Sequence, residues 1–156
     1  MPHFEIIQGR LHHCGKIARR LRAEQRNAVI GLGAEVHVGL VRAFHDSCWC
    51  RTWLIDHQPT AIAGICATLL GSHGRIWLAA TELATRYPIA FVKSCQEELA
   101  AMATVKRHLY TTLLPDDARA ERFAAFLGFV EDGAVVTMAK RDLKIMRYDL
   151  RWAEAA

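Results

Sequence analysis

The feature that most constrains the fold is an uninterrupted apolar run near the centre of the chain, Ala61–Leu70. A continuous apolar run of this length is typical of a strand that is buried on both faces. Turn sequences bound it on each side, and further strand-like runs, Arg51–Asp56 and Arg75–Ala80, lie before and after those turns. The sequence therefore predicts an antiparallel meander of three strands.

Helical periodicity flanks this meander on both sides. The spacing of apolar residues predicts helices over Leu11–Leu32, Glu35–His45, Pro88–Arg107 and a segment that begins after Pro115-Asp116-Asp117 and ends at Gly128. Shorter β-type runs are Phe4–Gln8, Leu109–Leu114, Ala134–Ala139 and Lys144–Trp152. The predicted order is β-α-α-β-β-β-α-β-α-β-β, which is an α/β fold with helices packed on a mixed sheet.

Length and charge narrow the class of protein. The chain has 156 residues and no Pro/Gly/Ser linker, so we expect a single domain over residues 1–156. Residues 1–26 hold six basic and two acidic side chains, which is the whole net charge of +4. A generic nucleic-acid binder is more evenly basic. A nucleic-acid module working through Arg19, Arg20, Arg22 and Arg26 is therefore the weakest alternative, because such a charge run is usually a solvated helix face.

Targeting and metal signals are weak. Glu5 and the arginines that follow replace the apolar run of a signal peptide, and the longest uncharged stretch, Gln58–Gly74, is too short to span a bilayer. We therefore expect a cytoplasmic protein that does not enter membranes. The five cysteines are an odd, scattered set, and Cys48 and Cys50 have no second pair to complete four zinc ligands. The sequence thus favours reduced thiols and no metal site.

Two segments resemble a known superfamily. Residues 120–133 read A-x-x-F-x-x-x-L-G-F-x-x-x-G, which resembles the late helix and following turn of the GCN5-related N-acetyltransferases (GNAT). Residues 74–81, G-R-I-W-L-A-A-T, resemble the central strand of a GNAT-like group encoded by tailed bacteriophages, with Pro88 and Phe91 in its following helix. Together with the order of elements, the chain resembles GNAT proteins over nearly its whole length, closest in pattern to the phage group.

The resemblance implies a cofactor site. GNAT enzymes hold acetyl-CoA where two central parallel strands splay apart, here Arg75–Ala80 and Leu109–Leu114. The backbone of Leu78, Ala79, Ala80 and Thr81 would then pair with the pantetheine arm. The family's glycine-rich pyrophosphate turn is replaced by Glu82–Pro88, which contains no glycine, so the implied phosphate ligand is the Arg86 side chain. Asp117 stands where the family usually has Asn at the start of the late helix, and it is also a good helix cap.

Two side chains are candidates for proton transfer. Glu82 follows the central strand, where a general base can sit, and Tyr110 is the nearest phenol to replace the family's tyrosine, whose position holds Ala124. The resemblance thus implies acetyl transfer from acetyl-CoA to an amine of a small molecule or protein. The missing glycines and tyrosine support an alternative, an inactive phage protein with a role inside the virion or in binding a host protein. Homodimer formation through the C-terminal strand and Trp152 stays open.

Overall fold

A computed structural model of the chain describes residues 2–67, 70–138 and 140–148. Its strands form a mixed sheet in the order β1-β2-β3-β4-β5-β7-β6, so the predicted α/β class is confirmed. Within the described part of the chain, the elements run in sequence as β1 Phe4–Gln8, α1 Leu11–Arg19, α2 Ala23–Gly31, α3 Val36–His45, β2 Ser47–Ile55, β3 Gln58–Cys66, β4 His73–Ala80, α4 Glu82–Thr85, α5 Pro88–Val105, β5 His108–Leu113, α6 Ala118–Leu127, β6 Phe129–Met138 and β7 Arg141–Tyr148.

The chain divides into two compact units. The first comprises Met1–Ala67 with Ile76–Pro88, and the second comprises Thr68–Arg75 with Ile89–Ala156. Strand β4 contributes its first three residues to the second unit and its remaining five to the first. Each unit can therefore be described by its own strands, helices and cavity.

In the first unit, β1, β2 and β3 form an antiparallel sheet covered by α1 and α3. The predicted buried strand is confirmed, because Ala61, Ile62 and Ile65 of β3 are almost completely inaccessible to solvent. The strand ends at Cys66 rather than at Leu70, whose side chain is fully exposed. It ends there because β2 begins at Ser47, the partner of Cys66, and β3 has no β2 residue to pair with beyond it.

The helix predicted over Leu11–Leu32 is wrong as a single element. The structure has two helices, α1 and α2, with a break at residues 20–22. Leu21 forms an antiparallel bridge with Thr81, and the Arg22 N–H donates to the Ala80 carbonyl at 3.1 Å. Pairing with the end of β4 requires an extended backbone at these residues, so tertiary hydrogen bonds override the helical pattern.

In the second unit, three residues of β4 pair in parallel with β5, in the register His73↔His108, Gly74↔Leu109 and Arg75↔Tyr110. Strand β7 then joins β5 and β6 through antiparallel pairs. Strand β6 starts at Phe129, directly after the Gly128 that ends α6, and so includes residues before the β-type run Ala134–Ala139. The acidic residues and Gly133 were expected to form a turn, but they lie within the strand at a register irregularity, where Gly133 has a φ of +80°.

Helices α5 and α6 complete the second unit. The ring of Phe91 on α5 stacks with that of Phe123 on α6, with centroids 6.2 Å apart. The predicted end of α6 is confirmed, because Gly128 adopts a left-handed conformation with a φ of +102°. The predicted last strand is confirmed as far as Tyr148, and Trp152 lies outside the described residues. Across residues 2–67, 70–138 and 140–148, no helix has both the length and the apolar character needed to cross a membrane.

Candidate active site

The last part of β4 has two edges with different partners. The Thr81 N–H and hydroxyl both donate to the Thr60 carbonyl of β3, at 2.9 and 2.8 Å. Successive strand residues direct their backbone groups to opposite edges. Thr81 bonds to β3, and Leu78 and Ala80 precede it by three residues and one residue. Their backbone groups therefore lie on the other edge, which faces away from β3.

A side-chain amide occupies this second edge. Gln25 on α2 donates from Nε2 to the Leu78 carbonyl at 3.1 Å, and its Oε1 accepts from the Ala80 N–H at 2.8 Å. One carboxamide thus forms the pair of hydrogen bonds that a peptide group of a neighbouring strand would form. This edge of β4 is therefore shaped to hold an amide.

The four backbone residues predicted to hold a cofactor have different surroundings. Leu78 and Ala80 are the pair on the Gln25 edge. Ala79 is buried in the core formed with α1 and α3, and Thr81 is buried with both of its donors used by Thr60. Only the first pair could exchange Gln25 for another partner without disturbing the β3 side of the strand.

Glu82 and Arg86 lie together in the first unit. They line a cavity of about 380 Å³ beyond the end of β4, where Glu82 is the first residue of α4 and Arg86 follows its last turn. Arg20 also lines this cavity and donates to the Gln58 side chain at 3.3 Å. Two guanidinium groups around one carboxylate can hold an anion, and the exposed carboxylate can accept a proton.

Tyr110 lies in the second unit, so the structure does not bring the two predicted catalytic residues together within one unit. It lines a cavity of about 580 Å³ on one face of the β4, β5, β7 and β6 strands. Each Tyr110 neighbour in the sheet is an arginine, Arg75 on β4 and Arg147 on β7. Burial raises the pKa of Tyr148, a second phenol in the lining.

The two arginines that line this second cavity differ in whether they have a partner. Arg147 pairs with Asp132, with Nε and Oδ1 3.6 Å apart. The rings of His73 and His108 stack, with centroids 4.7 Å apart. Arg75 is half-buried, and no hydrogen bond or ion pair of its side chain is found among the residues that the structure describes. Within the described part of the chain, the cavity therefore carries a positive charge without an anionic partner.

Asp117 acts as a helix cap in this structure. Its Oδ1 accepts a hydrogen bond from the Ala120 N–H at 3.1 Å, at the start of α6. This is the ordinary N-cap arrangement, in which a side chain satisfies one of the free N–H groups of the first turn. The helix cap predicted at Asp117 is thus confirmed.

The arginines near the N-terminus have partners inside the first unit. The Arg26 guanidinium donates to the Ala18 carbonyl at 2.6 Å, and Arg20 bonds to Gln58. The Arg22 Nε lies 3.9 Å from a Glu24 carboxylate oxygen. These contacts join α2 to α1 across the break and the break to the start of β3.

Sequence reasoning missed Gln25 and Arg75. No local signal marks Gln25, since its role depends on a strand more than 50 residues away. A signal for Arg75 was present, because polar residues alternate as H-x-R at the start of β4 and as H-x-Y-x-T along β5. Alternate strand residues share one face, so this pattern predicts a polar face where the two strands pair.

Comparisons with known proteins identify the fold. No protein-family model and no curated protein matches the sequence. Among solved structures, the chain is similar to AAC(6')-Ib in complex with paromomycin and acetyl-CoA, at 16% identity and a TM-score of 0.67, over 97% of this chain and 96% of that one. A GNAT-family acetyltransferase from Bacillus anthracis gives 8% identity and a TM-score of 0.67, covering 94% and 97%.

A third solved structure is the ribosomal-protein-S5-alanine acetyltransferase from Vibrio fischeri. It matches with 12% identity and a TM-score of 0.62, over 94% of this chain and 93% of that one. These identities are low, but the matches cover nearly the full length of each protein. The chain therefore has the fold of the GNAT acetyltransferases, as the resemblance of its motifs implied.

Proposed function

We propose that this protein is an acetyl-CoA-dependent N-acetyltransferase that acts on the amine of a small molecule. The observation that carries the proposal is the edge of β4 that faces away from β3, where the Leu78 carbonyl and the Ala80 N–H hold the Gln25 carboxamide. The pantetheine arm of acetyl-CoA contains amides with the same donor and acceptor. AAC(6')-Ib, which shares the fold, is described in complex with acetyl-CoA and an aminoglycoside, which supports both halves of the proposal.

The phosphate end of the cofactor fits this chain less well than the amide end. Residues 82–88 contain no glycine, and Pro88, the first residue of α5, has no N–H to donate. We propose that the exposed Arg86 guanidinium holds the pyrophosphate instead of a backbone loop. When bound, the cofactor supplies an acetyl group as a reactive thioester.

The proposed roles of the two catalytic candidates follow from their chemistry. The Glu82 carboxylate, exposed in the first-unit cavity, accepts the proton of the acceptor amine. The Tyr110 phenol holds a proton at Oη for the leaving group. Glu82→Gln should then lower kcat by about 100-fold with little change in acetyl-CoA affinity, because one general base contributes on the order of 10²-fold or more. Unchanged turnover in this variant would remove Glu82 from the mechanism.

Calorimetry with acetyl-CoA alone measures whether the cofactor binds. The release of free thiol in the presence of a panel of small amines measures whether the acetyl group is transferred. Gln25→Ala sharpens the first measurement, because a bound cofactor must displace the Gln25 amide. Replacing two internal hydrogen bonds costs about 1–2 kcal/mol, so the variant should bind acetyl-CoA roughly tenfold more tightly than the natural chain. Asn27→Ala, an exposed change on the same helix, should leave the affinity unchanged.

A weaker affinity in Gln25→Ala would contradict the displacement and make Gln25 a residue that positions β4. If neither chain binds acetyl-CoA at millimolar concentration, the proposed activity fails. That result would favour the second candidate, a non-catalytic GNAT-fold protein of a tailed bacteriophage. The feature that favours this candidate is the absence of glycine and of one N–H donor between Glu82 and Pro88.

A further inference from the structure

The cavity of the second unit is lined by polar side chains from alternate residues of neighbouring strands. His73 and Arg75 lie on one face of β4, and each is paired with a residue of β5, His108 and Tyr110 respectively, that lines the same cavity. The intervening residues, Gly74 and Leu109, are buried, and Leu109 also contributes to the lining. The polar side chains are therefore gathered by the register of the sheet and not by a loop.

The charge of the lining points to an anion. Asp132, the carboxylate of the lining, is already paired with Arg147 at 3.6 Å. This leaves Arg75, half-buried and without a partner among the described residues, together with two stacked imidazoles. A partly desolvated guanidinium is stabilised by a carboxylate or phosphate, which it can bind through two parallel hydrogen bonds.

The remaining lining limits the size and shape of the ligand. The cavity of about 580 Å³ is within the range of sites for small molecules. Tyr110 and Thr112 offer hydroxyl groups, and Val136, Met138 and Ile145 supply an apolar wall. This combination suits a small organic anion that has an apolar part and is poorly suited to a polycation.

We infer that this cavity binds a small organic anion through Arg75. The charge of the cavity disfavours polycations such as paromomycin, whose several ammonium groups would be repelled by Arg75.

Titrations without acetyl-CoA test the site directly. The probes are L-methionine for the carboxylate, O-phosphoethanolamine for the phosphate and paromomycin for the polycation, followed by NMR shifts and calorimetry. We expect at least one anionic probe to bind and paromomycin not to compete with it. Arg75→Gln should weaken that binding at least tenfold, since a hydrogen bond to a charged group contributes about 1.5–3 kcal/mol.

The controls separate loss of charge from loss of fold. Arg107→Gln removes an exposed arginine that does not line the cavity and should leave the affinity unchanged. Arg75→Lys keeps the charge and should retain part of the binding if Arg75→Gln proves unstable. Equal binding by the natural chain and Arg75→Gln, failure of both anionic probes at millimolar concentration, or preferential binding of paromomycin would each overturn the inference.

Discussion

Two sets of polar groups, one in each compact unit, differ in whether they are paired. In the first, the polar groups at the end of β4 are paired internally, through Gln25 on one edge and Thr60 on the other. In the second, the half-buried Arg75 is without a partner among the described residues. Paired groups hold an element in place, whereas a partly buried unpaired charge gains free energy when a ligand supplies its partner. The difference assigns structural support to one set of groups and ligand recognition to the other.

His13 is a buried, titratable example of a paired group in the first unit. Its side chain is 4% exposed, and Nδ1 lies 2.8 Å from the Thr52 hydroxyl and accepts the Arg10 N–H at 3.1 Å. Burial lowers the pKa of His13 from 6.5 to about 4, with smaller contributions from the neighbouring His12, Arg10 and Lys16. The ring is therefore a neutral structural group at physiological pH.

The largest effect is expected from filling space in the first unit. A Cβ at Gly64 would lie 2.7 Å from the Trp49 carbonyl oxygen and 2.8 Å from both the Ser47 Oγ and the Trp77 Nε1. The last two atoms are joined by a hydrogen bond of 2.8 Å. Gly64→Ala should therefore cost about 3 kcal/mol of unfolding free energy in urea titrations.

The matched control is Gly39→Ala on helix α3, where the nearest atom to the new Cβ is the Val29 Cγ1 at 3.9 Å. A helical alanine in open space should stabilise the protein by about 0.5–1 kcal/mol. If the two substitutions changed stability equally, the close packing between β2, β3 and Trp77 would be contradicted.

A pH titration of stability tests the neutral His13. The unfolded chain binds a proton below pH 6.5 and the folded chain only near pH 4, so this contribution to stability is complete above pH 6.5 and is lost as the pH falls towards 4. From about pH 7 to about pH 5, the loss should be about 2 kcal/mol. His13→Gln should remove this part of the slope, while His12→Gln, at an exposed neighbour that makes a smaller contribution to the His13 pKa, should keep most of it. The same slope in both variants would show that other groups cause it.

The smallest effect belongs to the cap of α6 in the second unit. Asp117→Ala should lower stability by about 1 kcal/mol, and Asp117→Asn should restore most of it because Asn also caps helices. Asp116→Ala, at the exposed preceding residue, is the control. If Asp117→Asn weakened acetyl-CoA binding without changing stability, Asp117 would contact the cofactor in addition to capping α6.

Much of the architecture could be predicted from local pattern. The helix from Ala118 to Leu127 has its cap at Asp117 and its stop at Gly128, and both ends depend on residues within one turn. The apolar run at Ala61 predicted a buried strand, which is confirmed. The break between α1 and α2 could not be predicted, because it depends on the pairing of Leu21 with Thr81, 60 residues later.

Some features of the candidate site could likewise be predicted from the sequence, and others depend on contacts between distant residues. The sequence placed Glu82 and Arg86 after the central strand, and the structure brings them to one cavity. It did not separate Leu78 and Ala80 from Ala79 and Thr81, because the two edges of a strand differ only through their partners. Nor did it show that Tyr110 shares a cavity with Arg75, which follows from the parallel register of β4 and β5.

By itself, the sequence determined the order of the seven strands, the two ends of α6 and the buried centre of the sheet, since these follow from residue spacing and local hydrogen bonding. Only the tertiary structure decided which polar groups are paired. The Gln25 amide finds Leu78 and Ala80 across more than 50 residues, and Arg75 finds no partner among the described residues. Hydrogen bonds and ion pairs form only between groups that are close in space. Which groups are close depends on the strand register and the packing of the whole chain.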